Sequence, residues 1–400
     1  MKKYLILVCL FYCLVTANVA WCQQRCGAVH VPGARSERDE TFNVAVDGGA
    51  YLVNRTVITI PVVVHVVWNK QEENISDTQI LSQIVVLNKD FRKLNIEVPG
   101  IPAVFQNLVA DVEIEFCLAS SDPQGLPTTG ITRTFTNNSV GIGGTPAIHY
   151  TSQGGRDAWD TAHYLNIWVA KFAGNIGGIG AFPGEGLPAE DGVEINYRQF
   201  GTLNVEPPYD LGRTCTHEIG HYFNLEHPWG PGILDCCKDD FVADTPPACE
   251  TYINQCPVHP VVSCAGPDLF MDYMFYTDDA CMGMFTKGQK ARMLATLNTV
   301  RSGLVESQGC IAVPTHESFL GTDWVIYPNP VHDYLKVENT SLEGGWAELE
   351  LFGIAGNRLL SQRFETSKQQ SIPVENLPIG IYLLRIKNGQ QYFTEKIIKQ

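Results

Sequence analysis

A mixed sheet backed by helices (α/β in the α+β sense), followed by a small all-β sandwich, is the fold class this sequence predicts, and three observations carry it. In the first half a β-branched run at 57–68, a helical stripe at 76–94, an alternating segment at 112–118 and a further strand at 164–170 come in the order strand, helix, strand, strand, which builds a sheet with helices packed on it. A second helical segment, 211–224, carries two histidines one turn apart. After Cys310 the chain changes to short strands separated by Pro and Gly turns, the pattern of a sandwich.

The N-terminus opens with Lys2-Lys3 and an apolar run at 4–20, the charged start and apolar middle of a secretory signal. Cleavage near Ala20 to Cys22 makes 1–22 a signal peptide. Polar Gln23-Gln24-Arg25 follows, and no other run could cross a bilayer, so no stable membrane span is expected. A formal charge of -15 argues against a nucleic-acid partner, since a polyanion needs a basic surface. Residues 23–54 are Gly-containing and weakly periodic and read as a pro-segment; 55–311 form the main domain, 312–322 a linker and 323–400 the sandwich. Removing the leader takes three of the thirteen cysteines. Cys236, Cys237, Cys249, Cys256 and Cys264 crowd into one loop with Cys281 just beyond; a structural zinc cluster is the alternative, but irregular spacing and export favour disulfides.

Within the main domain, 57–68 reads as a buried strand with His65 a satisfied core histidine. The spacing predicts a helix over 76–94, with Ser76 and Gln79 as a capping box and Ile80, Ile84, Leu87, Phe91 and Leu94 as one apolar stripe. Val112, Ile114, Phe116 and Leu118 share one strand face. The glycine-rich run at 174–182 is not followed by Lys-Ser or Lys-Thr, so it is a weak match to a phosphate loop. A strand at 191–197 and a helix at 286–302, capped by Thr286 and Gln289, complete the domain.

The chemistry is concentrated at 217–227, His-Glu-Ile-Gly-His-Tyr-Phe-Asn-Leu-Glu-His. On a helix His217 and His221 share a face and reach one ion, with Glu218 beside a water on it. For His227 to reach the same ion the chain must turn back, and Asn224 is among the few residues other than Gly that enter the left-handed conformation such a turn needs. Three neutral imidazoles leave a fourth tetrahedral position for water, the mark of a catalytic rather than a structural zinc site. The acidic loop that follows offers Asp240, Asp244 and Thr245 as calcium ligands, although clustered acidic residues are commonly just solvated.

Together with Phe270-Met271-Asp272-Tyr273, this stretch resembles the metzincin metalloproteases, and specifically the pappalysin (cytophagalysin) family. Metzincins carry Gly where this chain has Asn224. The resemblance implies a secreted zinc endopeptidase acting on protein or peptide substrates, with Glu218 as the base, Met271 beneath the metal and Tyr273 at the oxyanion. It implies a calcium site in the acidic loop, an edge strand after the glycine-rich run to carry an extended peptide, and disulfides Cys237–Cys264 and Cys256–Cys281. The pairing of Cys117, Cys215, Cys236, Cys249 and Cys310 stays open. Arg25-Cys26-Gly27 resembles the family's latency motif, in which a thiolate occupies the open zinc position. Asp278 or Asp279 is expected at the floor of a pocket for Arg after the cleaved bond, and Arg55, following Asn54 at the pro-segment boundary, would then be a target for self-cleavage. Tyr327-Pro328-Asn329-Pro330, Gly380-Ile381-Tyr382 and the last five residues, Lys-Ile-Ile-Lys-Gln, are similar to type IX secretion sorting domains, which makes secretion machinery a partner; a carbohydrate-binding or adhesive sandwich is the alternative. The competing function is an inactive protease-like surface adhesin, against which the presence of Glu218 argues.

Overall fold

The computed structural model describes residues 24–26, 57–126, 128–230, 238–264, 266–310 and, in the C-terminal region, 324–329, 331–339, 345–353, 358–366, 369–378, 380–388 and 391–399. The expected signal peptide, the linker, Cys236, Cys237, and the Asn54-Arg55 bond lie outside the described residues, as does the pro-segment apart from strand β1 (Gln24–Cys26).

The first sheet is built around β2 (Ile58–Trp68), whose residues 60–67 are all buried. A continuous β-branched run suits a strand covered on both faces. His65 is held there between Thr132 Oγ1 (2.8 Å) and Asn166 Oδ1 (2.9 Å), and burial lowers its pKa to about 4, so it is a neutral core residue. Helix α1 (Asp77–Phe91) covers one face, burying Ile80, Ile84, Leu87 and Phe91. The Ser76 hydroxyl caps it by accepting from Gln79 N, but the Gln79 side chain does not return to the cap: it donates to the carbonyls of Tyr197 and Phe200, so only half of the expected box forms. Leu94 lies beyond the helix end and is exposed, because the helix stops three residues short of it.

Strands β3 (Ile114–Leu118) and β4 (Ile131–Phe135) both pair with β2 on one side; β5 (Leu165–Ala170) pairs on the other. Beyond β5 come β6 (Ile176–Gly180) and β7 (Val193–Asn196), giving the order β1-β6-β7-β5-β2-β3. All pairings are parallel except β6 with β7. The glycine-rich run is thus the antiparallel strand near the sheet margin, and β1 closes that margin by pairing Cys26 with Gly178. Helix α2 (Arg213–Tyr222) packs beneath, and α3 (Lys287–Asn298) follows with the full Thr286/Gln289 capping box. The expected single helix to 302 breaks at Thr299, and a short α4 (Ser302–Glu306) continues it. One core joins the sheet, α1, α2, α3 and the segment 269–285.

Disulfides join Cys117 to Cys310 and Cys256 to Cys281. Cys264, expected to pair with Cys237, is in no disulfide, whereas Cys249 of the same loop is disulfide-bonded. In an irregular loop the spacing of cysteines does not determine their partners.

The C-terminal strands β8 (Trp324–Tyr327), β9 (Tyr334–Asn339), β10 (Trp346–Gly353), β11 (Arg358–Glu365), β12 (Gln370–Pro373), β13 (Gly380–Asn388) and β14 (Gln391–Lys399) form antiparallel sheets ordered β11-β10-β13-β14 and β12-β9-β8. Alternation buries Leu335 and Val337 of β9 with Leu349 and Leu351 of β10 in a core of their own.

Candidate active site

Helix α2 is gripped from three sides. At its N-terminus, Asp279 Oδ2 accepts the backbone N–H of Leu211 (2.9 Å) and Arg213 (3.1 Å), replacing the side-chain cap that Gly212 cannot supply. From above, β6 approaches so closely that a Cβ on Gly178 would stand 2.6 Å from Glu218 Cγ, and one on Gly180 would stand 2.3 Å from Glu218 O. The glycines are there for contact between strand and helix. From below, Met274 takes the space a side chain on Gly220 would need, with Sδ 2.4 Å from the position of its Cβ.

The helix then ends where the sequence indicates. Asn224 has φ 73°, and its N–H bonds to His221 O while Leu225 N bonds to Gly220 O, the paired closing bonds of a left-handed helix terminus. The turn carries His227 back toward the helix. Nε2 of His221 lies 3.1 Å from His217 Nε2 and 3.1 Å from His227 Nε2, with 3.3 Å between the other two. Tetrahedral ligands about 2.0–2.1 Å from a zinc ion would be about 3.3 Å apart. His217 Nδ1 donates to Tyr273 O and His221 Nδ1 to Leu225 O, each at 2.7 Å. A carbonyl only accepts, so both rings carry their proton on Nδ1 and turn an Nε2 lone pair inward. Converging lone pairs in a buried pocket suit a cation between them, and three imidazole nitrogens at this spacing fit zinc.

Cys26 of β1 completes this group: its sulfur and the three histidine nitrogens lie within 4.8 Å of one another. The sulfur is also 3.4 Å from Oε2 of the buried Glu218.

A family model described as pregnancy-associated plasma protein-A, a peptidase family, matches residues 149–298. A promirolysin mutant from Tannerella forsythia superposes with a TM-score of 0.64 at 38% identity, covering 71% of this chain and 97% of that one. The chain belongs to the pappalysin family. Mature mirolysin from the same organism, solved in complex with a cleaved peptide, matches at 43% identity and a TM-score of 0.59 over 63% of this chain and 96% of that one. Extracellular metalloprotease 1 of Coccidioides posadasii is 28% identical over 295 residues, 70% of this chain and 91% of that protein. A secretion system C-terminal sorting domain model matches 325–400. This pappalysin is therefore a secreted metalloendopeptidase with a sorting tail, and among the described residues no helix is long and apolar enough to cross a membrane.

Three residues beyond Met271 and Tyr273, the structure brings a second methionine and tyrosine to α2 and the histidines. Met274 packs against α2 at Gly220, a residue that lies between His217 and His221 in the chain. Tyr276, not Tyr273, lies against the metal group, with its ring 5.5 Å from His217 and 4.9 Å from His227. Tyr273 turns the other way: its ring packs on Phe285 at 4.8 Å and under Arg213 at 5.5 Å, and burial beside the Asp90 charge holds its phenol well above the usual pKa. The sequence repeats the pattern, Met271-Asp272-Tyr273-Met274-Phe275-Tyr276, and the second copy is the one whose tyrosine reaches the histidines.

Asp279 is fully buried, with Oδ2 bonded to the α2 backbone; Asp278 is half-buried beside it. Of the calcium candidates, Asp240 and Thr245 are bonded within their own loop and Asp244 to the start of α3. Asp240 accepts from Val242 N and Thr245 Oγ1, and Asp244 accepts from Thr286 Oγ1 and Gly288 N, which anchors the start of α3. Among the described residues, the group at Cys26 and the three histidines is the one set of three or more His, Cys, Asp or Glu ligand atoms clustered closely enough to share an ion.

Proposed function

We propose that this chain is made as a latent zinc endopeptidase, with His217, His221 and His227 holding the metal and Cys26 closing its fourth position. The observation that carries this is the convergence of the Cys26 sulfur on the three Nε2 atoms beside Glu218. When bound, zinc supplies a Lewis acid that lowers the pKa of a water to about 7 and polarises a peptide carbonyl. Glu218 takes the water's proton and returns it to the leaving amine. Burial on every side keeps that carboxylate from bulk water. Tyr276 is the tyrosine we assign to the oxygen on which negative charge develops.

Latency ends when β1 leaves the sheet margin, which frees the outer edge of β6 for an extended peptide. We assign the activating cut to Asn54-Arg55 and the Arg preference to Asp278, since Asp279 is committed to the helix. For the acidic loop calcium is our reading: burial pushes Asp240 up to about 7 and Asp272 well above the usual range, with Asp240 and Asp244 adding to the latter, and a hard cation would hold these acids ionised. Hydrolysis of azocasein by the processed chain tests the enzyme reading. We expect a chelator to abolish it and added zinc to restore it; chelator-resistant hydrolysis would reject the metal's role.

A further inference from the structure

We infer that Trp229 is a positioning residue for the third metal ligand, holding the plane of the His227 ring by stacking. The inference rests on the zinc-peptidase reading. His217 and His221 stand on α2 and are each aimed by an Nδ1 bond to a carbonyl. His227 stands in the loop beyond the helix, where a turn closed by Gly230 N and His227 O (2.7 Å) brings Trp229 back over its ring. The two rings lie 4.7 Å apart, with planes within 4° of parallel.

Trp229 is itself fixed. It is 3% exposed, with Phe275 edge-on at 5.5 Å and Tyr276 edge-on at 4.9 Å; Tyr276 is also edge-on to His227. A ring wedged in this way can define the direction of a neighbour's lone pair. The electrostatics favour the loaded state. An imidazole that shares its lone pair with a dication gains positive charge, and the face of an indole is electron-rich, so the stack is stronger with metal than without it. A residue serving only as core would gain nothing from the ion.

The test is zinc affinity of the full chain, measured by competition with a chromogenic chelator, in Trp229→Phe and Trp229→Leu. Phe keeps a ring; Leu keeps only apolar bulk. We expect Phe to stay close to the unmodified chain and Leu to weaken zinc about 10–100-fold, while the metal-free melting temperatures of the two variants agree. Equal affinities of Phe and Leu would overturn the inference. A second measurement needs no variant: removing zinc from the unmodified chain should alter its near-ultraviolet indole band, and an unchanged band would also overturn it. Failure of the unmodified chain to bind zinc would instead defeat the zinc-peptidase reading itself.

Discussion

At the scale of single residues, the site is decided by which of several similar side chains reaches the metal group. Tyr273 and Tyr276 are three positions apart on a tight segment, so their rings diverge: one packs toward Arg213 and Phe285, the other toward His217 and His227. Replacing the two in turn separates their roles. Tyr276→Phe should lower kcat about 100-fold or more with zinc retained, the cost of one lost oxyanion donor. Tyr273→Phe should leave kcat essentially unchanged. Steady-state kinetics on the processed enzyme would return the assignment to Tyr273 if the effects came out reversed.

At the scale of elements, activity depends on a strand lying almost in contact with a helix. Gly178→Ala places a methyl 2.6 Å from Glu218 Cγ, so either the base or β6 must move. Overpacking of this kind costs about 1–3 kcal/mol, and here it should appear chiefly as a fall in kcat with zinc content intact; kcat and zinc content both at the unmodified level would show that the contact does not hold the base. On the opposite face of β7, Glu194 Oε2 accepts from Gly144 N (2.7 Å) and Oε1 lies 3.3 Å from His149 Nε2. Burial pushes the Glu194 carboxyl up to about 8 and lowers His149 to about 4, so the pair is neutral at pH 7. A folded pKa raised from 4.5 to about 8 means that stability is fully present below 4.5 and lost as pH rises through 8. Glu194→Gln, which mimics the protonated form, should melt with the unmodified chain at pH 5 and above it by at least about 3 °C at pH 8.5. Thermal scans at the two values would refute this if the difference were independent of pH.

At the scale of the whole molecule, the proposed function ties activity to the release of β1 from the sheet margin. On the reading proposed above, a chain whose β1 sits at its own sheet margin, with Cys26 beside the three histidines, stays inactive until cut. The purified full chain should therefore acquire Arg55 as its N-terminus, with Glu218→Ala and Arg55→Ala each remaining uncut. N-terminal sequencing that finds another start, or the same start in Glu218→Ala without added protease, would exclude self-activation.

The linear chain by itself determined whatever depends on neighbours in sequence. The one-turn spacing of His217 and His221, the left-handed Asn224 and the return of His227 follow from helix geometry and were legible, as were β2, the stripe of α1 and the alternating C-terminal strands. Periodicity of 3.6 or 2 residues fixes which side chains share a face. It does not fix which elements touch, and there the tertiary structure decided. Asp279 became the cap of α2, Gln79 bonded to distant carbonyls rather than to its own helix, Cys117 found Cys310 across 193 residues, and Gly178 proved to be the place where β6 approaches Glu218. The choice of Tyr276 over Tyr273 belongs with these. The two lie in identical local patterns, and only the packing of the segment against α2 gives one of them the metal group to face.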